Sequence, residues 1–317
     1  MKRIVPSARA VVIILITLLS SLTSFSQSIT IRNKVEVGLG LGPLVFLGDL
    51  GGAAGLGRTF IKDIDYPLVK MSKGLFVGVA PNEWLGFRLA VNTGVLEGDD
   101  KQAPSKGGEE EFRIMRNLNF KTRLLEGYGA VEFYPTVFIE QYDDLKGKFR
   151  PYGVIGVGVY HFNPKTQDNA GNWVALQPLH TEGQGFPEYP DRKPYKLTQM
   201  EIPMGFGFKY YLKENMFIGL EVLHRKLFTD YVDDVSTNYI DPIYFDKYLS
   251  PANAKLAREL NYRGTFSWAT TRPSAIVGEK RGDPKQNDAY FSTILRLGWR
   301  LREMSGAERQ LRCPLYY

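Results

Sequence analysis

Residues 196–211 read Lys-Leu-Thr-Gln-Met-Glu-Ile-Pro-Met-Gly-Phe-Gly-Phe-Lys-Tyr-Tyr. Met200, Ile202, Met204, Phe206, Phe208 and Tyr210 fall on one parity; Gln199, Glu201, Pro203, Gly205, Gly207 and Lys209 fall on the other. Period two with a single apolar row is the signature of a strand with two unlike faces. The second row is glycine and charge. Glycine is a poor choice for a watery strand face, but it suits a narrow, crowded interior. The apolar row therefore reads as facing lipid, and the charged row as facing the lumen of a barrel.

Working outward, seven further segments carry strand character: 35–47, 74–80, 84–96, 119–134, 149–162, 217–228 and 289–301. In the third, Leu85, Phe87, Leu89, Val91, Thr93 and Val95 oppose Gly86, Arg88, Ala90, Asn92 and Gly94. In the last, Phe291, Thr293, Leu295, Leu297, Trp299 and Leu301 oppose Tyr290, Ser292, Arg296, Gly298 and Arg300. The segments 119–134 and 149–162 alternate less cleanly. Connections alternate in length. Pro81-Asn82-Glu83 and Lys213-Glu214-Asn215 are tight turns and 136–148 is of middling length, whereas 48–73, 97–118, 163–195 and 229–288 are long and polar. Loops sorted in this way belong to an all-β, eight-stranded antiparallel up-and-down transmembrane β-barrel with short periplasmic turns and long extracellular loops. Trp84, Tyr134, Tyr210, Tyr211 and Trp299 at strand ends read as interfacial girdles.

Composition agrees. The chain has 317 residues, 13% of them aromatic, with 32 Gly and only 7 Met. Residues 1–27 read as a signal peptide that is removed. Lys2, Arg3 and Arg9 precede an apolar run from Ala10 to Leu22, and Ser24 and Ser26 stand before Gln27. That run is too short to span a bilayer, and no Cys follows it, so no lipid anchor is expected. Removing those three cations from the net charge of +6 leaves +3, without the basic stripe that nucleic acid requires. The barrel proper is expected over 28–303 and a periplasmic tail over 304–317. Both termini are then periplasmic and the barrel sits in the bacterial outer membrane.

The inward parity collects Glu36, Arg88, Glu126, Glu132, Glu201, Lys209, Glu221, Arg225, Arg296 and Arg300. An eight-stranded barrel is just wide enough for side chains to fill, and unpaired buried charge is costly. These ten read as a paired network plugging the lumen, in preference to an ion or proton path. No catalytic, cofactor or metal site is expected. The histidines are His161, His180 and His224, without metal spacing, and the one Cys excludes a CxxC pair. His224 and Ser292 are the nearest base and hydroxyl, but parity sends Ser292 inward and His224 outward. Asp99-Asp100 and Asp233-Asp234 read as solvated loop charge, with calcium binding the lesser alternative. Gly48-Asp49-Leu50-Gly51-Gly52, continuing to Gly55 and Gly57, reads as a tight loop needing positive φ. Ser250, Pro251 and the residues to Leu260 read as a capped short helix inside the long 229–288 loop. Cys313, between Arg312 and Pro314, lies in the periplasmic tail. A lone thiol there either pairs with another chain or stays free and shielded.

Several of these motifs, in this order, resemble the DUF6089 family of PorG-like outer-membrane barrels. They are Gly48-Asp49-Leu50-Gly51-Gly52, Leu125-Glu126-Gly127-Tyr128 with Glu132-Phe133-Tyr134, and Arg150-Pro151-Tyr152-Gly153. Glu201-Ile202-Pro203-Met204-Gly205, Thr229-Asp230-Tyr231-Val232-Asp233-Asp234-Val235-Ser236 and Arg312-Cys313-Pro314 complete the set. The resemblance implies a non-enzymatic barrel of the type IX secretion system. It would anchor a periplasmic ring, made of a PorK-like lipoprotein and a PorN-like protein, to the outer membrane. Cys313, with Arg312 and Pro314, then becomes a candidate contact with a ring subunit. A surface-exposed structural or adhesion barrel, binding extracellular partners through its long loops, remains the alternative.

Overall fold

A computed structural model describes residues 34–50, 68–102, 110–139, 145–264 and 276–301. The expected signal peptide, Gly51 to Gly57, and the tail with Arg312, Cys313 and Pro314 lie outside the described residues. Ten strands are described: β1 (Lys34–Leu47), β2 (Lys70–Ala80), β3 (Leu85–Asp99), β4 (Asn119–Phe133), β5 (Phe149–His161), β6 (Lys165–Gln167), β7 (Trp173–Ala175), β8 (Thr198–Lys213), β9 (Met216–Leu227) and β10 (Ala289–Leu301). The eight long ones pair antiparallel with their neighbours in chain order. β10 then pairs back onto β1, from Val35 opposite Leu301 to Leu47 opposite Ala289. The sheet is closed. No backbone edge is left for hydrocarbon, which could not satisfy it.

The faces follow parity. Leu75, Leu89 and Phe206 are 68%, 70% and 68% exposed, and Leu39, Val157, Met200 and Leu295 share the same outer surface. Apolar area on this scale has no place in water, where it costs about 25 cal/mol per Å². It is the lipid belt of an outer-membrane-type barrel. No described helix is long and apolar enough to cross a membrane; the strands do so. β4 and β5 obey the same rule. Leu125, Val131 and Phe133 in β4 and Phe149, Ile155, Val157 and Val159 in β5 face outward, while Phe120, Leu124, Tyr128, Tyr152, Val154 and Tyr160 are buried. Their inner rows carry apolar and aromatic side chains, so polarity alone blurs the alternation. Inside, rings lie against bare backbone: a Cβ at Gly298 would come within 2.2 Å of the Phe217 ring.

The turns at one rim (81–84, 134–148 and 214–215) are shorter than the loops at the other. The long loops carry their own elements: α1 (Glu110–Arg116), the β6–β7 hairpin, α2 (Ile243–Tyr248) and α3 (Pro251–Asn261). α3 begins as its sequence predicts, with Ser250 Oγ accepting from the backbone N–H of Asn253 and Pro251 opening the helix. The other three elements carry no signal as clear. The described loop segments do not splay into solvent. Leu179, Val232, Ile240, Phe245, Ala257 and Leu260 from the loops form one core with Leu44, Leu96, Phe120, Tyr160, Leu227 and Tyr290 from the strand ends. The barrel carries a packed cap on that rim.

The outer face sets a depth-dependent expectation. Leu89→Arg, in the middle of the belt, should destabilise the barrel in lipid by about 2–4 kcal/mol, whereas Leu301→Arg at the rim should cost roughly 0–1 kcal/mol. Reversible denaturant unfolding in vesicles measures both.

Candidate functional site

The lumen is built by inward parity, and all ten expected charges are there or at its rim. Seven join end to end. Arg300 Nη2 lies 3.0 Å from Glu36 Oε1, and Glu36 Oε2 lies 2.6 Å from Lys209 Nζ. Lys209 reaches Glu132 at 3.1 Å, and Glu132 meets Arg88 at 2.7 Å. Arg88 bridges to Glu221 at 2.8 Å, and Glu221 ends the chain on Arg296 at 2.6 Å. The other three lie higher, beneath the cap. Arg225 grips Glu126 with two bonds, Nη2–Oε1 at 2.5 Å and Nε–Oε2 at 3.1 Å. Glu201 is held by a hydroxyl: Tyr290 Oη lies between Glu126, at 2.7 Å, and Glu201.

Tyrosines complete the packing, and the charge pattern does not reveal them. Tyr152 Oη donates to Glu221 at 2.7 Å, and Tyr211 Oη accepts from Arg300 at 2.9 Å. Tyr134 Oη donates to Glu132. Lys209 lies among the rings of Tyr134, Tyr152 and Phe217, at 5.2, 5.5 and 4.9 Å. Two girdle expectations are therefore corrected. Tyr134 and Tyr211 are 3% and 1% exposed and turn into the lumen, because their hydroxyls find partners there. Trp84, Tyr210 and Trp299 remain at the outer surface. Arg150 is a further buried cation, its Nη2 donating to the Glu83 carbonyl at 2.5 Å with the guanidinium over the Tyr134 ring.

His224 and Ser292 are not brought together. Register sets His224 opposite Phe291 on the outer parity and Ser292 opposite Leu223 on the inner one. Ser292 Oγ accepts a hydrogen bond from Arg225, so it is part of the lumen packing.

The cap contains a second charged centre, and here the loop reading is corrected. Asp100, Asp233 and Asp234 are buried, not solvated. Asp100 takes both prongs of Arg116, at 2.8 and 3.0 Å. Arg116 also donates to the carbonyls of Asp49 and Arg281. Arg281 pairs with Glu182 at 2.8 Å, and Glu182 accepts from the backbone N–H groups of Ser236 and Thr237. Asp234 sits at φ +67, pinned by Thr181 Oγ1 at 2.6 Å and Tyr195 Oη at 2.7 Å. Asp49, Asp230, Asp233 and Asp288 fill the remainder. Leu50 N–H donates to Asp233, Asp283 N–H to Asp49 and Val232 N–H to Asp288. The segments 48–50, 229–236 and 281–288 are thus laced together. Gly48 is required by proximity: a Cβ there would lie 2.3 Å from Asp288 Oδ1 and 2.3 Å from the Phe46 ring, and its φ is not positive.

Burial raises the carboxyls of Asp49, Asp230, Asp233, Asp234 and Asp288 above the ordinary aspartate range. Asp230 is pushed up to about 9 by burial and then by the charge of Asp49. Asp233 and Asp288 rise well above their usual value for the same reason, each beside further acids. Arg281 restrains Asp234 at about 6. One oxygen of Asp230 and one of Asp288 are buried without a hydrogen-bond partner. Among the described residues no three acidic, histidine or cysteine side chains close around one point as metal ligands would.

No family model matches the chain, and no curated protein does. Solved structures similar to it include the outer membrane protein OprG from Pseudomonas aeruginosa, at 12% identity and a TM-score of 0.41, covering 86% of this chain and 97% of that one. Ail, the attachment invasion locus protein of Yersinia pestis, is similar at 8% identity and a TM-score of 0.35, over 85% and 97% of the two chains. Neisserial surface protein A matches at 9% identity and a TM-score of 0.35, over 85% and 97%. The barrel assignment itself rests on strand pairing and closure.

Two outcomes follow from the charge geometry. Arg225→Met strands Glu126 in the lumen and should cost about 3–5 kcal/mol of stability, most of it recovered by adding Glu126→Leu; denaturant melts of the single and double variants test this. In the cap, raised carboxyl values mean that the folded state holds protons the unfolded chain releases. That stabilisation is complete below about pH 4 and is lost as pH rises, through about 6 for Asp234 and about 9 for Asp230. Thermal melts should therefore show Tm falling between pH 5 and pH 9, and Asp230→Asn should narrow the difference.

Proposed function

We propose that this chain is a non-enzymatic outer-membrane barrel of the type IX protein secretion system, anchoring a periplasmic PorK/PorN-type ring to the outer membrane. The observation that carries the proposal is the lumen. Ion pairs and tyrosines fill it, and a packed cap covers one rim. A barrel filled in this way works through its ends and its wall. The motif resemblance supplies the particular role. Of its pieces that fall on described residues, Glu126, Glu132, Tyr152 and Glu201 belong to the lumen network, and Gly48, Asp49, Leu50 and 229–236 to the cap lacing. In this reading the long loops are extracellular and both termini periplasmic. Cys313, with Arg312 and Pro314, offers the thiol that links the barrel to a ring subunit.

A second reading is a surface barrel that binds extracellular partners through its long loops. It is favoured by the cap, whose packed core fixes the shape of that surface.

Crosslinked pulldown from intact envelopes should recover the lipoprotein and its soluble ring partner with the native chain, and less of both with Cys313→Ser. Deletion of the barrel should stop export of substrates bearing the system's C-terminal signal. Undiminished export, with no periplasmic protein recovered, would leave the second reading.

A further inference from the structure

The connection between β4 and β5 departs from the other two turns of its rim. It opens with Tyr134 and a 3₁₀ turn, Pro135–Phe138, closed by the Ile139 N–H donating to the Thr136 carbonyl at 3.0 Å. The turn is two-sided. Val137 packs against the inner core below the lumen network. Phe138 and Ile139 face the other way and are 69% and 89% exposed. The direction of Phe138 is fixed by what it touches. Its ring lies 6.2 Å from that of Phe133, the last outward residue of β4, and Phe133 lies 6.3 Å from Trp84. The turn therefore folds back along the outer wall and not across the lumen. Phe149, at the start of β5, continues the same surface against Phe208 at 4.7 Å. The tips of the neighbouring turns expose Glu83 and Glu214, and in this connection the described exposed charge, Lys146, comes only after the apolar pair.

We propose that Phe138 and Ile139 form a hook inserted into the boundary between lipid headgroups and acyl chains. The occupant is lipid because the pair is continuous with the lipid belt through Phe133 and Trp84. An aromatic ring beside an exposed isoleucine is also the composition that partitions to that depth. The hook extends the apolar wall past the strand ends on the β4–β5 side, which holds that side of the barrel at a fixed height. This inference is independent of the secretion role.

The test uses the full chain with Cys313→Ser, which removes its one native thiol. A nitroxide is attached at Ile139→Cys, with lipid-facing Phe206→Cys and cap-surface Lys285→Cys as references. The proteins are reconstituted alone in phosphatidylethanolamine–phosphatidylglycerol vesicles, and power saturation compares collisions with dissolved oxygen and with a water-soluble nickel chelate. The label at 139 should resemble that at 206: open to oxygen and shielded from nickel. A label at 139 as open to nickel as that at 285 overturns the proposal and marks the turn as a water-facing surface for a partner protein. Position 139 is exposed, so the substitution does not disturb folding. Labels at 206 and 285 that differ as expected confirm correct insertion in the same preparation.

Discussion

Five acids and five bases share a space one side chain wide. The chain from Arg300 through Glu36, Lys209, Glu132, Arg88 and Glu221 to Arg296 draws on β10, β1, β8, β4, β3 and β9. Hydrogen-bonded pairing already holds each strand to its neighbours around the wall. Three of the ion pairs, Glu36–Lys209, Lys209–Glu132 and Arg88–Glu221, act across the bore, between strands that never touch along their edges; the other three tie neighbouring strands. Each carboxylate in the chain meets two cations or a cation and a hydroxyl, which is what makes burial of so many charges tolerable. The outer face supplies affinity for the membrane, and the bore supplies a single cross-section.

That division explains how much could be read in advance. In 196–211, large apolar residues and glycine or charge fall on opposite parities, so faces and fold are plain. The ten lumen charges follow, since every strand obeys the same parity. β4 and β5 are harder because Phe120, Leu124, Tyr128 and Val154 are apolar and still point inward. Near the cap, and between rings, the lumen is an ordinary protein core. Tyr134 and Tyr211 mislead for a related reason. A tyrosine is greasy along its body and polar at its tip, and a strand end offers it either the interface or a carboxylate inside.

The cap was the least legible part. Asp49, Asp233 and Asp288 are spread across nearly the whole chain, and nothing local distinguishes them from solvated loop acids. Their burial depends on three loops closing together, which is a property of the closed barrel. Gly48 shows the same limit. Its sequence context suggests a special backbone angle, whereas the structure requires only that nothing protrude toward Asp288 and Phe46. The Ser250–Pro251 start of α3 stays legible, because capping depends only on neighbours in sequence.

Tyr290 belongs to the last strand, yet it lies between Glu126 and Glu201 and is also part of the core that joins barrel to cap. A nascent chain seven strands long lacks the side chain that both regions share. Its loops have no floor to settle on, and its carboxylates face an open seam. Wall, plug and lid are thus all complete only when β10 is paired with β1. Half-built forms are thereby kept distinct from the finished molecule, a useful property for a polypeptide that must be assembled inside a membrane.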